Sequence, residues 1–595
     1  MRKRIRIVVI DSGVSNKFEN LNRVESGVYL QKDTEHIKLT KDVYDETGHG
    51  TAISNIILTE CKDAYIYPVK IVDRSFFTDE ETLICALEYV YNNISCDIIN
   101  MSLGISICEQ KSRLQDILRK LKEKNVIIVS AFNNDGSMSY PALMDEVIGV
   151  DSSARITDIY KYEFVENSPI NIFAMGKNQR VLWLDGKKII AKGSSFAAAH
   201  VSATIGRLLE DKSVGTIEEE LKKHAVRVIH CEETIDHTLD FAIKKVIVFP
   251  YNKEMHSVVR FYDSAKYTLA GVYDLKESGN VGKIIKTDSD NVFEIQNYLN
   301  IDWDSDFETI ILGHTNEIQK VMRKNIREYF VLKSRIHHKN IYSFDYISQE
   351  EISNEMNIYC PYVNKFMVPQ NKFGKLYRIS KPVLGFFGTG SKQGKFTLQM
   401  ILKRKFEEDG YNVGHIGSEP SALFMGCQKC YPMGYENSVE IKGYDAINTL
   451  NSFLFDIEDD SDIIMVGSQS NTIPPIFGNE AYYTMKQLEF LMGTEPDAVI
   501  LTCSAHDDLE YVSRTIRVIE NIVETKVIAI VLFPQKLTAG WSTINNVMED
   551  ITDEDVILFK DYFDKNYSIP LFELDRSKDI EKLYMLCNEY FTHEE

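Results

Sequence analysis

No stretch of this 595-residue chain approaches the roughly 18 consecutive apolar residues of a membrane-spanning helix, so no membrane segment is expected. Basic charge is also short. The chain has 67 Lys and Arg against 88 Asp and Glu, and the formal net charge of −21 argues against nucleic acid as a partner, since phosphate binding needs a basic face, and favours solubility. Cysteine is sparse: ten residues are scattered singly apart from Cys427 and Cys430, which suits a reducing cytoplasm better than a disulfide framework. No signal peptide is expected either, because the apolar stretch behind Met1-Arg2-Lys3-Arg4 runs only from Ile5 to Ile10. What remains is the composition of an ordinary globular protein, 44% hydrophobic and 26% charged, long enough for about three to four domains.

Three stretches carry chemistry. Ile7-Val8-Val9-Ile10-Asp11-Ser12-Gly13 reads as a buried parallel strand that ends in a carboxylate and a glycine turn. Thr47-Gly48-His49-Gly50-Thr51 brackets a histidine with glycines at the start of an apolar helical pattern. Gly193-Ser194-Ser195-Phe196-Ala197-Ala198-Ala199 places a serine on the first turn of a helix, where the dipole favours developing negative charge and the alanines allow close packing on a sheet. Taken singly, these read as a turn former, a surface histidine and an N-cap. Taken together they supply an orienting carboxylate, a general base and a nucleophile in the chain order Asp, His, Ser.

On these stretches the chain resembles the subtilisin-like serine peptidases over about its first 235 residues. The resemblance implies Asp11, His49 and Ser195 as catalytic residues. It also implies Asn134, at the end of Val126–Asn134, as the oxyanion donor beside the Ser195 N–H. Ser102-Leu103-Gly104 looks like the family's edge segment, which would bind peptide by strand addition. Ala199 stands where the family usually has proline, a change that a helical first turn tolerates. Asn133 stands where the family usually has glycine on the wall of the primary pocket, so a narrowed or more polar pocket is expected. Only ten residues precede Asp11, so no prosegment is expected. Proteolysis of this type uses no metal or cofactor.

Beyond residue 238 the pattern restarts. Short apolar strands at Lys245–Pro250, Leu269–Asp274 and Thr309–His314 alternate with helix-competent segments, which predicts a Rossmann-like domain over 239–378. No G-x-G-x-x-G follows its first strand, so it reads as structural rather than dinucleotide-binding. A third domain, 379–595, opens with Val383–Phe387, the loop Gly388-Thr389-Gly390-Ser391-Lys392-Gln393-Gly394-Lys395-Phe396-Thr397 and a helix: a phosphate cradle. The loop has one residue more between its glycines than the usual motif, and Phe396 holds the place of the Mg²⁺-binding hydroxyl, with Thr397 next.

The cradle resembles the loop of dethiobiotin synthetase and, more closely, that of a P-loop family with a Rossmann-like domain in front. This implies ATP or GTP with Mg²⁺ held by Gly388, Gly390, Gly394, Lys395 and Thr397, although Gly467 stands where an acidic residue is expected near the metal. Cys427, Cys430, Cys503 and His506 form a candidate zinc set whose bland reading is four unliganded side chains.

The expected fold class is therefore α/β, with three consecutive open, mainly parallel sheets over 1–238, 239–378 and 379–595. The whole resembles bacterial peptide-maturation proteins. That implies a cytoplasmic serine endopeptidase acting on a precursor peptide, fused to a nucleotide-binding module. The alternative is a nucleotide-dependent peptide-modifying enzyme or scaffold whose subtilase-like part only docks peptide.

Overall fold

Ile5–Asp11 (β1) is apolar on both faces, a pattern that only a strand covered on both sides tolerates. Its alternate residues feed two separate cores. Ile5, Ile7 and Val9 pack with Ile53 and Ala198, whereas Val8 and Ile10 pack with Leu87 and Leu118. In this computed structural model the described residues are all but 1–3, 18–19, 34–35, 75–77, 211–214, 236, 263–266, 288–289, 348–355, 435, 534, 538–547, 551, 575 and 593–595. They fall into two compact units, Met1–Thr234 with Pro369–Ser380, and Ile235–Val368 with Lys381–Glu595.

In the first unit, β1 is flanked by Ala64–Lys70 (β2) and Ile98–Met101 (β3). Beyond β3 lie Ile127–Ala131 (β4) and Ile148–Ser152 (β5), all parallel, at the centre of a ten-stranded sheet among the described residues. One face is covered by His49–Glu60 (α1) and Ser194–Leu208 (α2), and residues 194–206 of α2 are buried throughout. The small side chains of α2 make this possible: a Cβ on Gly206 would stand 2.9 Å from Cys61 Sγ at the end of α1.

Residues 369–380 close this unit from far along the chain. Met138 N–H donates to Leu376 O at 2.9 Å, and Lys375 Nζ lies 3.1 Å from Asp151 Oδ2. Phe373 meets Phe173 edge-on at 4.9 Å.

The second unit holds two further parallel arrays. One runs Thr268–Asp274 (β7), Lys245–Phe249 (β6), Thr309–Leu312 (β8) and Asn340–Ser343 (β9). The other runs Val413–Gly417 (β11), Ile463–Gly467 (β12), Val383–Gly388 (β10), Ala498–Cys503 (β13) and Lys526–Leu532 (β14). The helix Lys395–Glu408 (α4) follows β10, and the helix Lys253–Arg260 (α3) follows β6. One apolar cluster, containing Val246, Met255, Phe396 and Phe424, joins the two arrays. The chain is thus α/β with mainly parallel sheets. No described helix is long and apolar enough to cross a membrane.

Candidate functional site

Asp11 ends β1 and His49 opens α1, and their side chains meet at the carboxyl edge of the sheet. His49 Nδ1 lies 2.8 Å from Asp11 Oδ1 and 3.0 Å from Oδ2, while Ser12 N–H donates to Oδ1 at 2.7 Å. Gly13 and Gly50 permit this approach. A Cβ on Gly13 would stand 2.3 Å from Val43 O, and one on Gly50 would stand 2.3 Å from Gly13 O. Burial pushes His49 toward its neutral form. The charge and hydrogen bond of Asp11, with the charge of Asp45 behind, outweigh that and raise its pKa above the ordinary imidazole value.

Asp45 is the residue that motif reading passed over. It is fully buried, and its Oδ1 accepts from Ser12 Oγ at 2.9 Å, Thr47 N–H at 2.9 Å and Gly48 N–H at 2.8 Å. Its Oδ2 takes Thr51 N–H at 2.8 Å and Thr51 Oγ at 2.6 Å. The Thr47, Gly48 and Thr51 donors lie at the start of α1, each costing about 1–3 kcal/mol if left buried and unbonded, so Asp45 fixes the turn that carries His49. The signal was present in the sequence: an acidic residue four positions ahead of a helix-opening histidine is a helix-start cue.

Ser195 lies in the first turn of α2 and is 9% exposed; the ring of its neighbour Phe196 sits 5.8 Å from the His49 imidazole. Its hydroxyl donates to Ser102 O at 3.0 Å. Ser102 Oγ in turn donates to Ser195 O at 2.9 Å and accepts from Asn100 Nδ2 at 3.0 Å, which locks the end of β3 against α2. Leu103 and Gly104 follow, both half-buried. Asn134 Oδ1 accepts from Ser194 N–H at 2.9 Å, so the Nδ2 group is the donor the amide has left to offer. Ser194 Oγ donates to Phe132 O. Asn133 is half-buried and tied down: its Nδ2 donates to Ser106 Oγ at 2.9 Å, its N–H donates to Ser139 Oγ at 2.9 Å, and its Oδ1 would stand 2.7 Å from a Cβ on Gly104. The asparagine therefore spans from its own loop to the segment after β3.

In the second unit, the loop after β10 leaves the sheet at its carboxyl edge, beside β12 and β13. Gly394 has φ +70° and faces Leu574, 2.5 Å from where a Cβ would stand, so no larger residue fits. Lys395 Nζ donates to Gly390 O at 2.7 Å and Ser470 O at 3.0 Å, and Gly390 N–H donates to Gln393 Oε1 at 2.8 Å. Gly388 lies against Thr502, whose Oγ1 would stand 2.7 Å from a Cβ there. Gly394, Lys395 and Thr397 line a cavity of about 490 Å³. Gly467, where an acidic side chain was expected, is covered by Gln399, 2.1 Å from where a Cβ would stand. Phe396 points into the apolar cluster joining the two arrays, which explains an aromatic ring at a position that usually carries a hydroxyl.

The four candidate zinc residues are not brought together. Cys427 Sγ pairs with His415 Nδ1 at 3.3 Å, Cys430 Sγ donates to Glu419 O at 3.3 Å, and buried Cys503 ends β13. His506 faces Asp555 at 3.4 Å. Among the described residues the one cluster with metal-ligand geometry is His314, Asp345 and Glu436, and there Arg327 already stands 3.7 Å from Asp345.

Residues 2–242 match the subtilase family, and residues 372–561 match a P-loop domain of unknown function, DUF1611_C. Proteinase T of Parengyodontium album is 23% identical over 171 residues, covering 27% of this chain and 57% of its own length. Alkaline serine exoprotease A of Vibrio alginolyticus is 25% identical over 213 residues, covering 34% of this chain and 38% of its own length. The chain thus spans less than two thirds of either curated relative. A cold-adapted subtilisin-like serine proteinase of known structure is 22% identical, covers 37% of this chain and 81% of its own, and superposes with a TM-score of 0.31. The chain therefore has an N-terminal region that matches the subtilase family and a C-terminal region that matches the DUF1611 P-loop domain.

Proposed function

We propose that the first unit is a serine endopeptidase in which Ser195 attacks the peptide, His49 moves the proton and Asp11 holds the imidazole. The observation that carries this is the buried Asp11 carboxylate on His49 Nδ1, with Ser195 on the adjoining helix turn. Nδ1–H donated to Asp11 leaves Nε2 as the basic nitrogen. The Ser195 hydroxyl turns about χ1 from Ser102 O toward His49, gives its proton to Nε2, and Oγ bonds to the scissile carbonyl carbon. The carbonyl oxygen becomes an oxyanion facing the Ser195 N–H and Asn134 Nδ2. His49 then returns the proton to the leaving amine as the C–N bond breaks, and water releases the acyl group by the same route.

The substrate is a peptide laid along Ser102, Leu103 and Gly104, and a ribosomally made precursor is the reading that fits a protease fused to a second, nucleotide-binding module. Its cysteines, scattered singly along the sequence apart from Cys427 and Cys430, suit a reducing cytoplasm. In the second unit, Gly394, Lys395 and Thr397 line the cavity, and Gly388 and Gly390 precede them in the same loop. These residues would hold the phosphates of ATP or GTP, with Thr397 supplying the hydroxyl for Mg²⁺, which would neutralise phosphate charge.

A fluorophosphonate probe tests the protease. Wild-type protein is expected to be labelled once, at Ser195, and to cleave peptides encoded beside its gene. A folded protein that takes no label would instead support a domain that only docks peptide.

Asn133 sets the residue accepted before the scissile bond. Its side chain, fixed by Ser106, occupies space that glycine would leave open, so small or polar residues should be preferred over Phe or Leu. Asn133→Gly should raise kcat/KM for Phe and Leu about tenfold, a typical return for opening an apolar pocket. A peptide-library profile of the wild type that already favours Phe and Leu would refute this.

A further inference from the structure

The cavity over the glycine loop is not walled by the P-loop array alone. Tyr251, Asn252, His256 and Asn280 line it as well, and they come from the turn after β6, from α3 and from the segment after β7, on the other array of the same unit. Tyr251 and His256 pack against each other with ring centroids 4.7 Å apart and 31° between their planes, a tilted aromatic stack whose exposed member is His256 and whose half-buried member is Tyr251. Asn280 Nδ2 donates to Tyr251 O at 3.3 Å and to the buried Asp274 Oδ2 at 2.9 Å, so the Tyr251 turn is braced to the end of β7. Although His256 is exposed, desolvation by the protein around its ring and the nearby Lys392 charge push the imidazole toward its neutral form, only partly offset by Glu254. A neutral ring offers a π-face without a competing charge.

Resting on the nucleotide reading above, we propose that the second unit binds a nucleoside triphosphate across both arrays, phosphates on Gly394–Thr397 and the base stacked on Tyr251 and His256. The cavity, about 490 Å³, lies within the size range of small-molecule and cofactor sites. A phosphate loop recognises only the charged end of such a ligand. The planar end needs an aromatic platform, and base stacking on aromatic side chains is strong and tolerant of base identity. The array preceding the P-loop would then be half of the binding site, and ATP and GTP would bind alike.

Calorimetry on the full chain with ATP, GTP and inorganic tripolyphosphate separates the two ends of the ligand. Tyr251→Ala is expected to weaken ATP and GTP about tenfold while leaving tripolyphosphate unchanged, and Tyr251→Phe to retain wild-type binding. Lys395→Ala should weaken all three. The base platform is overturned if Tyr251→Ala and His256→Ala both leave ATP binding intact while Lys395→Ala weakens it. It is equally overturned if Tyr251→Ala weakens tripolyphosphate as much as ATP, which would mean collapse of the pocket. Wild-type protein that binds none of the three, with and without Mg²⁺, overturns the nucleotide reading itself and the platform with it.

Discussion

Ser195→Ala and His49→Ala should each lower peptide cleavage by at least about 10⁴-fold and leave the fold intact, because either change removes the same proton-transfer unit. Combining them should cost little more than either alone. Ser195 makes one side-chain hydrogen bond, to Ser102 O, so an alanine there forfeits a single modest interaction and the Ala-rich packing of α2 is retained. Thermal unfolding of Ser195→Ala should therefore track the wild type closely. Cleavage at a wild-type rate by the alanine protein would remove Ser195 from the mechanism.

Asp11→Asn should be nearly as severe, about 10⁴-fold, and should leave a signature in pH that a merely structural residue would not. An asparagine amide can donate to Nδ1, which leaves the proton on Nε2 and removes the basic nitrogen from the serine. In the wild type, Asp11 helps to raise the His49 pKa, and proteolysis needs neutral His49, so kcat/KM should climb through a limb lying above the ordinary imidazole value of about 6.5. Without the Asp11 charge, burial counts for more, the imidazole pKa falls, and the residual activity should rise through a limb displaced to lower pH. A pH profile of kcat/KM for the two proteins reads this directly. A limb that stays in place would mean that Asp11 does not set the ionisation of His49.

Much of the first unit was legible because its signals are short and local. The run Ile7–Ile10 is apolar at every position, which only a covered parallel strand tolerates, and the glycines flanking His49 mark a close backbone approach that no larger residue permits. Asp11 and His49 are accordingly found in contact, with Ser195 on the helix the alanines predicted. Asp45 was passed over because its role lies in main-chain and hydroxyl donors around a helix start, and a carboxylate in a turn looks the same in sequence whether it faces water or five buried donor bonds. The orientation of the Ser195 hydroxyl toward Ser102 O was likewise invisible, because a χ1 rotamer is chosen by whichever acceptor the fold brings near.

The sequence by itself determined the α/β class, the strand ends that carry Asp11, the helix starts that carry His49 and Ser195, and the glycine loop ending in Lys395, since each depends on periodicity or backbone conformation within a few residues. Tertiary structure alone decided what depends on distant partners. Residues 369–380 join the first unit, where Lys375 reaches Asp151 and Leu376 pairs with Met138 across more than 200 positions of chain. Phe396, a defect when the loop is compared with its motif, is a core residue between two arrays, and Gly467 lacks a carboxylate because Gln399 fills its space. Local pattern encodes which elements form. Which elements share a core is set by the mutual fit of surfaces that only the folded chain brings together.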